Sequence, residues 1–219
     1  MVYKPKFLIG IDEVGRGPLA GPIMVVGVKI KRHSLRSKIF SGIKDSKKLS
    51  AKQRDLWFSF LSTHPKLEWA VAMVYPKVID RINISAAGNL ASWRVYKKLV
   101  VGSLGRYKYK NIHISLAANN KKLSPKGIYR VLLDGGLRLP QGIPHRAIIK
   151  GDEKVPVIAA ASIIAKVLRD RLMVRIDTKF PRYGFCRHKG YGTKEHIKAL
   201  RKFGPVDIHR KSFLSFLEV

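Results

Sequence analysis

The chain has 219 residues, 46% of them hydrophobic and 26% charged, and its 44 Lys and Arg outweigh 14 Asp and Glu to give a formal net charge of +30. No apolar run approaches the roughly 20 residues that span a bilayer, and the single cysteine, Cys186, excludes an internal disulfide or a multi-cysteine metal cluster. The size suits a single domain over 1–219, and the charge suits a polyanion such as nucleic acid, although an anionic membrane surface or a high-salt adaptation would give the same sign. Residues 1–6 run straight into a first strand and leave no room for a signal peptide, so a cytoplasmic location is expected.

In chain order, Phe7–Ile11 reads as a buried strand and Ile23–Ile30 as a second, with a glycine- and proline-rich link short enough to favour an antiparallel pair. Ser50 and Gln53 have the spacing of a capping box and open a helix to about Ser62. Glu68–Val74 reads as a third strand. Helical patterning follows over Pro76–Ile82 and Ile84–Val100, with Asn83 at the junction. Residues 101–127, rich in Lys, Gly, Asn and Tyr, predict a surface excursion in which Ile112–Leu116 alternates like a strand. Tyr129–Asp134 is a buried strand followed by Gly135-Gly136, and His145–Lys150 is another that runs into Gly151-Asp152. Val157–Lys179 is the longest helix, small enough at Ala159–Ser162 for close packing on a sheet and ended before Pro181. Thr193 caps a last helix to about Phe203. The sum is an α/β fold, one mixed central sheet flanked by helices, with no internal repeat.

Acid is scarce in this chain, so the places where it concentrates are informative. Asp12 and Glu13 close the first strand, Asp134 closes another, and Asp152 falls at the end of a third. Taken singly, each reads as a strand-end cap or as the partner of one of the many cations. Together they predict a bound divalent metal, because clustered carboxylates raise one another's pKa until a cation neutralises them. Oxygen donors without His or Cys favour Mg²⁺ or Mn²⁺. Two such ions about 4 Å apart suit in-line displacement at a phosphodiester. Asp170, between Arg169 and Arg171 in a helix, reads as a structural ion pair. The seven His lack metal-ligand spacing, which leaves them to local hydrogen bonds.

Five motifs then occur in order: GIDEVGRGPLAG at Gly10–Gly21, DSKKLS at Asp45–Ser50, KGD at Lys150–Asp152, AAASIIAKV at Ala159–Val167 and HKGY at His188–Tyr191. Together they make the chain resemble type 2 ribonuclease H, ribonuclease HII of bacterial type, from residue 7 to about 214. The resemblance implies a ribonuclease H-like fold in which residues from about 181 to 219 form a C-terminal helical substrate-binding part. It implies metal ligation by Asp12, Glu13, Asp134 and Asp152, and cleavage of the RNA strand of RNA-DNA hybrids and of single ribonucleotides embedded in duplex DNA. The cut would fall 5′ to the ribonucleotide and leave 3′-hydroxyl and 5′-phosphate ends. It further implies that Gly15-Arg16-Gly17 senses the 2′-hydroxyl, the group that distinguishes RNA from DNA at one site. Tyr191 would pack on the ribonucleotide, and Lys47, Asn83, Ser162 and Lys166 would hold substrate phosphates.

The span from Asn83 to Asp134 is longer than the resemblance leads one to expect, and the excess is the basic segment 101–127, a candidate for widening the footprint on a duplex. The sibling ribonuclease HIII carries a long N-terminal extension, whereas the first strand here begins at residue 7. A non-enzymatic basic binding protein on the same fold would bind without metal and cut nothing. A monomer is expected for want of any dimer signal.

Overall fold

A computed structural model describes residues 5–36, 38–43, 46–101 and 128–217. Asp45 and the strand expected at 112–116 lie outside these residues. Five strands form one mixed sheet: β1 (Phe7–Val14), β2 (Ile23–Lys31), β3 (Leu67–Val74), β4 (Tyr129–Asp134) and β5 (His145–Ile148), in the spatial order β3-β2-β1-β4-β5. The first three are an antiparallel meander, as the short link between the first two predicts, while β4 and β5 join parallel. Helices α1 (Ala51–Thr63), α2 (Pro76–Ile82) and α3 (Ile84–Val101) lie between β1–β2 and β4 in sequence. Helices α4 (Gly151–Lys154), α5 (Pro156–Asp177), α6 (Phe185–His188) and α7 (Lys194–Phe203) follow β5.

The two-residue repeat of β1 decides which helix each side chain meets. Ile9 and Ile11 join Ala87, Ala91, Val95 and Tyr96 of α3 in one core, whereas Leu8 joins Val157, Ala160, Ala161 and Ile164 of α5 in the other. Two glycines let the helices come close. A Cβ on Gly10 would stand 2.6 Å from the backbone carbon of Val157, and one on Gly27 would stand 2.5 Å from Val95 Cγ1. Sheet and helices therefore touch almost backbone to side chain at these points, which fixes the height of α5 over the strand that carries Asp12.

Helix starts follow the local chemistry. Ser50 and Gln53 form the reciprocal capping box, with Gln53 N–H donating to Ser50 Oγ at 3.3 Å and Ser50 N–H to Gln53 Oε1 at 2.9 Å. Thr193 Oγ1 accepts from His196 N–H at 3.3 Å to start α7. The strand expected to run to Lys150 ends two residues earlier. Lys150 adopts a left-handed conformation (φ 54°) and throws the chain into the short helix α4, so Asp152 sits in that helix and not at a strand tip.

A third apolar cluster gathers Ala20, Met173, Tyr183, Phe185, Ala199, Leu200 and Leu214, joining the end of α5 to the segment after β1 and to the C-terminal helices. A lone antiparallel bridge between Ala20 and His209 continues that junction. Asp80 of α2 accepts hydrogen bonds from the main-chain N–H groups of Lys211 and Ser212, each at 3.0 Å, and so fastens the C-terminal turn to the body of the fold.

Candidate active site

The register of β1 against β4 pairs Ile11 with Leu133, and one step further along places Asp12 beside Asp134 at the same end of the sheet. Both belong to the α5 face by their parity. Glu13, the next residue on β1, turns to the α3 face. The carboxylates converge near the end of β1 and at the end of β4, whose last residue is Asp134. Oxygens of Asp12, Glu13 and Asp134 all lie within 4.8 Å of one another, and among the described residues no other group of three or more His, Cys, Asp or Glu closes so tightly.

Each acid is held by its own layer. Asp12 is 3% exposed, accepts the Glu13 N–H at 2.8 Å and is hydrogen-bonded by Ser162 of α5, whose hydroxyl also meets Ser46 Oγ at 2.9 Å. Glu13 pairs with Arg16 Nε at 3.0 Å, and the Arg16 Nη1 reaches Ser85 of α3 at 3.4 Å. Asp134 Oδ1 accepts the Gly151 N–H at 2.6 Å. A Cβ on Gly151 would stand 2.8 Å from Ile158 and 3.2 Å from that carboxylate oxygen, so a glycine is needed at this approach.

The electrostatics are those of unbalanced acid. Burial pushes the Asp12 carboxyl well above the usual carboxylate range, and the charges of Glu13 and Asp134 push it further; the Ser162 and Glu13 hydrogen bonds oppose them only in part. Burial also raises Glu13, with the Arg16 guanidinium pulling it back. Glu13 Oε2 is buried and has no hydrogen-bond partner. An orphaned carboxylate oxygen beside two further acids fits a hard divalent cation, and the all-oxygen donor set suits Mg²⁺ or Mn²⁺.

Asp152 stands outside the trio. It is 6% exposed, accepts the Glu153 N–H at 3.0 Å and faces Lys47 Nζ at 3.5 Å across the cleft edge. Lys166 pairs with Asp170 at 3.0 Å, so the ion pair expected for Asp170 is made with Lys166, while Arg171 pairs with Asp55 at 2.9 Å. Asn83, with φ 65°, uses its side-chain oxygen to accept the Ala86 N–H at 2.9 Å and caps α3. Ser162 lies against Asp12 as described. Gly17 is exposed, and a Cβ there would meet nothing within 4 Å.

The turn after Glu13 is held from beneath by two arginines to which the sequence assigns no such role. Arg169 and Arg210 are both 0% exposed. Arg210 donates to the carbonyls of Gly15 (2.5 Å), Arg16 (2.8 Å) and Gly21 (3.0 Å). Arg169 donates to those of Ala20 (3.1 Å), Pro22 (3.2 Å) and Lys189 (3.0 Å). Gly15 has φ 87°, and a Cβ on it would run into the Arg169 side chain. A signal for Arg169 was present in its helix: Ser162, Ala165, Arg169 and Met173 form a buried stripe at three- and four-residue spacing.

Tyr191 is 41% exposed, and its ring centre lies 6.0 Å from the Arg169 guanidinium carbon. The residue before it, Gly190 (φ 86°), accepts the Leu19 N–H at 2.8 Å, so the tyrosine is tied to the turn through the main chain. Beneath lies a histidine cluster. His188 stacks on His196 with ring centres 4.5 Å apart, His196 Nε2 meets His209 Nε2 at 3.1 Å, and His196 Nδ1 bonds the Tyr191 carbonyl at 2.9 Å. Burial lowers His196 and His209 to about 4.

Residues 9–216 match the family model of ribonuclease HII. A ribonuclease HII of Caldicellulosiruptor bescii is 44% identical over 95% of this chain and 87% of its own length, and one of Chlamydia caviae is 43% identical over 100% and 90%. Among solved structures, the ribonuclease HII of Archaeoglobus fulgidus, determined in complex with PCNA, superposes with a TM-score of 0.66 at 25% identity and covers 97% of each chain. The mixed sheet with its helices and helical C-terminal part is thus the ribonuclease H-like fold. The acids at its strand ends and the match over nearly the whole chain lead to one conclusion: this protein belongs to the ribonuclease HII family, the metal-dependent endoribonucleases that act on RNA-DNA hybrids.

Proposed function

We propose that the enzyme cuts not only RNA-DNA hybrids but also duplex DNA at a single embedded ribonucleotide, on its 5′ side, leaving 3′-hydroxyl and 5′-phosphate ends. The observation that carries this reading is the direct junction of the acidic trio to the positive-φ turn at Gly15: strand β1 delivers Asp12 and Glu13 and ends at Val14, and the turn that follows opens to solvent at Gly17. Chemistry and sugar recognition are thereby set close together in one stretch of chain.

In this reading Asp12, Glu13, Asp134 and Asp152 hold two divalent ions, Mg²⁺ or Mn²⁺, which when bound supply an activated water and charge neutralisation at the leaving oxygen. The remaining work falls to the chain itself. Gly17, open on its outer side, lets ribose approach the main chain, and the N–H groups of Arg16 and Gly17 face the 2′-hydroxyl. Arg16, already drawn to Glu13, sets the distance between turn and acids. Tyr191 offers a half-exposed ring to the ribonucleotide's sugar, and Lys47, Asn83, Ser162 and Lys166 lie along the phosphate path. The single unit 1–219 acts as a cytoplasmic monomer, with residues from about 181 onward as its substrate-binding part.

The test is cleavage of a labelled duplex with one ribonucleotide beside an all-DNA duplex and an RNA-DNA hybrid, with Mg²⁺, with Mn²⁺ and with neither. Metal-dependent cutting 5′ to the ribonucleotide supports the reading; cutting of the hybrid alone overturns the single-ribonucleotide part of it.

A further inference from the structure

The geometry points to Arg169 and Arg210 as positioning residues that aim the main-chain donors of Arg16 and Gly17, and the Tyr191 loop, at the ribonucleotide. This inference rests on the single-ribonucleotide reading given above.

Six hydrogen bonds from two fully buried guanidiniums all end on main-chain carbonyls, and among the described residues neither guanidinium forms an ion pair with a carboxylate. Burying a charge without a counter-charge is costly, and well-packed apolar side chains of the same volume often stabilise a core more. Stability alone is therefore a poor reason for two arginines here. Burial lowers both, Arg210 to about 9, with Arg169 pushing it down and the charge of Asp80 pulling it up.

What the arginines do is orient peptide planes. In a trans peptide the C=O and the following N–H point in opposite directions. With the Gly15 and Arg16 carbonyls turned inward onto Arg210, the N–H groups of Arg16 and Gly17 must point outward, and neither donates in any main-chain hydrogen bond among the described turns and loops. They are two adjacent donors facing the open side of the turn, which suits an acceptor such as a ribose hydroxyl oxygen. Arg169 joins the carbonyls of Ala20 and Pro22 to that of Lys189, so the same buried fork fixes the distance from this turn to Tyr191. A lysine ammonium lacks the planar fork and cannot hold three carbonyls as the guanidinium does.

The experiment measures binding in metal-free buffer by fluorescence anisotropy, with a duplex carrying one ribonucleotide and the matching all-DNA duplex, for the wild type, Arg169→Lys and Arg210→Lys. The expected result is that a variant with the wild-type circular dichroism spectrum binds all-DNA duplex as the wild type does while its preference for the ribonucleotide falls about tenfold, the size of one good hydrogen bond. An unchanged preference in a folded variant, or an equal weakening toward both duplexes, overturns the positioning role. A wild type without any preference overturns the underlying single-ribonucleotide reading instead. Amide hydrogen exchange on the unmodified protein needs no folded variant: Arg16 and Gly17 should gain protection with the ribonucleotide duplex beyond that given by all-DNA duplex, and equal protection with both counts against the inference.

Discussion

The acids at the tips of β1 and β4 and the arginines beneath the turn are both like charges withdrawn from water, and the fold treats them differently. Each of the six hydrogen bonds of Arg169 and Arg210 ends on a main-chain carbonyl, so these two side chains form a closed arrangement. The acids are left open: Asp12 is raised by burial and then by its acidic neighbours, and Glu13 Oε2 has no partner. An open cluster requires something from outside before its energy is settled, whereas a closed one holds its shape beforehand. The difference separates a place that binds and reacts from a frame that aims, although the two meet within three residues at Glu13–Arg16.

The comparison breaks most sharply at Asp134. Asp134→Asn removes an acid from the open cluster and leaves the frame alone, so cleavage should fall on the order of 10²-fold or more, while metal-free binding of hybrid stays at the wild-type level. Retained cleavage would remove Asp134 from the site. Next in size is the response to metal itself: Mn²⁺ or Mg²⁺ at about 100 times its dissociation constant should stabilise the protein by about 2.7 kcal/mol per bound ion in thermal unfolding. Glu13→Gln should reduce that gain, and an equal gain in the variant would show that the ions bind elsewhere.

On the framed side, Tyr191→Ala should cost about 1–3 kcal/mol in cutting at a lone ribonucleotide, the range of a lost aromatic contact to a nucleotide, and leave the metal-induced rise in Tm intact. If that rise fell as well, the substitution would have disturbed the fold. Gly10→Ala probes what supports the acids from below. Its Cβ would meet the Val157 backbone, which cannot move aside as a side chain would, and a loss of about 1–3 kcal/mol in denaturant unfolding is expected.

The smallest effect is one of pH. His196 and His209 are lowered from 6.5 to about 4 by burial, so the unfolded chain takes up protons that the folded one does not. The stability tied to their neutral forms is complete above about pH 6.5 and is lost as pH falls toward about 4. Unfolding midpoints measured across that window should decline, and less steeply in His209→Gln than in the wild type.

Much of the sheet was legible because its signals are local. β4 and α2 fall on the residues expected of them, and the Ser50–Gln53 and Thr193 caps form as their spacing implies. The convergence of Asp12, Glu13 and Asp134 was legible for a related reason, since Asp134 is the last residue of β4 and Asp12 and Glu13 lie just before the end of β1. Asp152 was misplaced in detail because the left-handed turn at Lys150 carries no glycine or asparagine to announce it. The buried arginines were hidden for a deeper reason. In so cationic a chain, two more guanidiniums look like surface, and their partners, the carbonyls of 15–22 and 189, are groups that every sequence possesses and none displays. The histidine cluster escaped for the same cause: His188, His196 and His209 come together only through tertiary folding.

The parallel register of β4 on β1 has one more consequence. Tyr129 opens β4 opposite Phe7, and Asp134 closes it, so the rise of about 3.3 Å per residue puts roughly 17 Å between the strand's entry and its acid. Ile128 therefore leads into the sheet at the end remote from the carboxylates. That end is a natural point for grafting, where a reporter or affinity module could be spliced in and leave the reacting end of the molecule untouched.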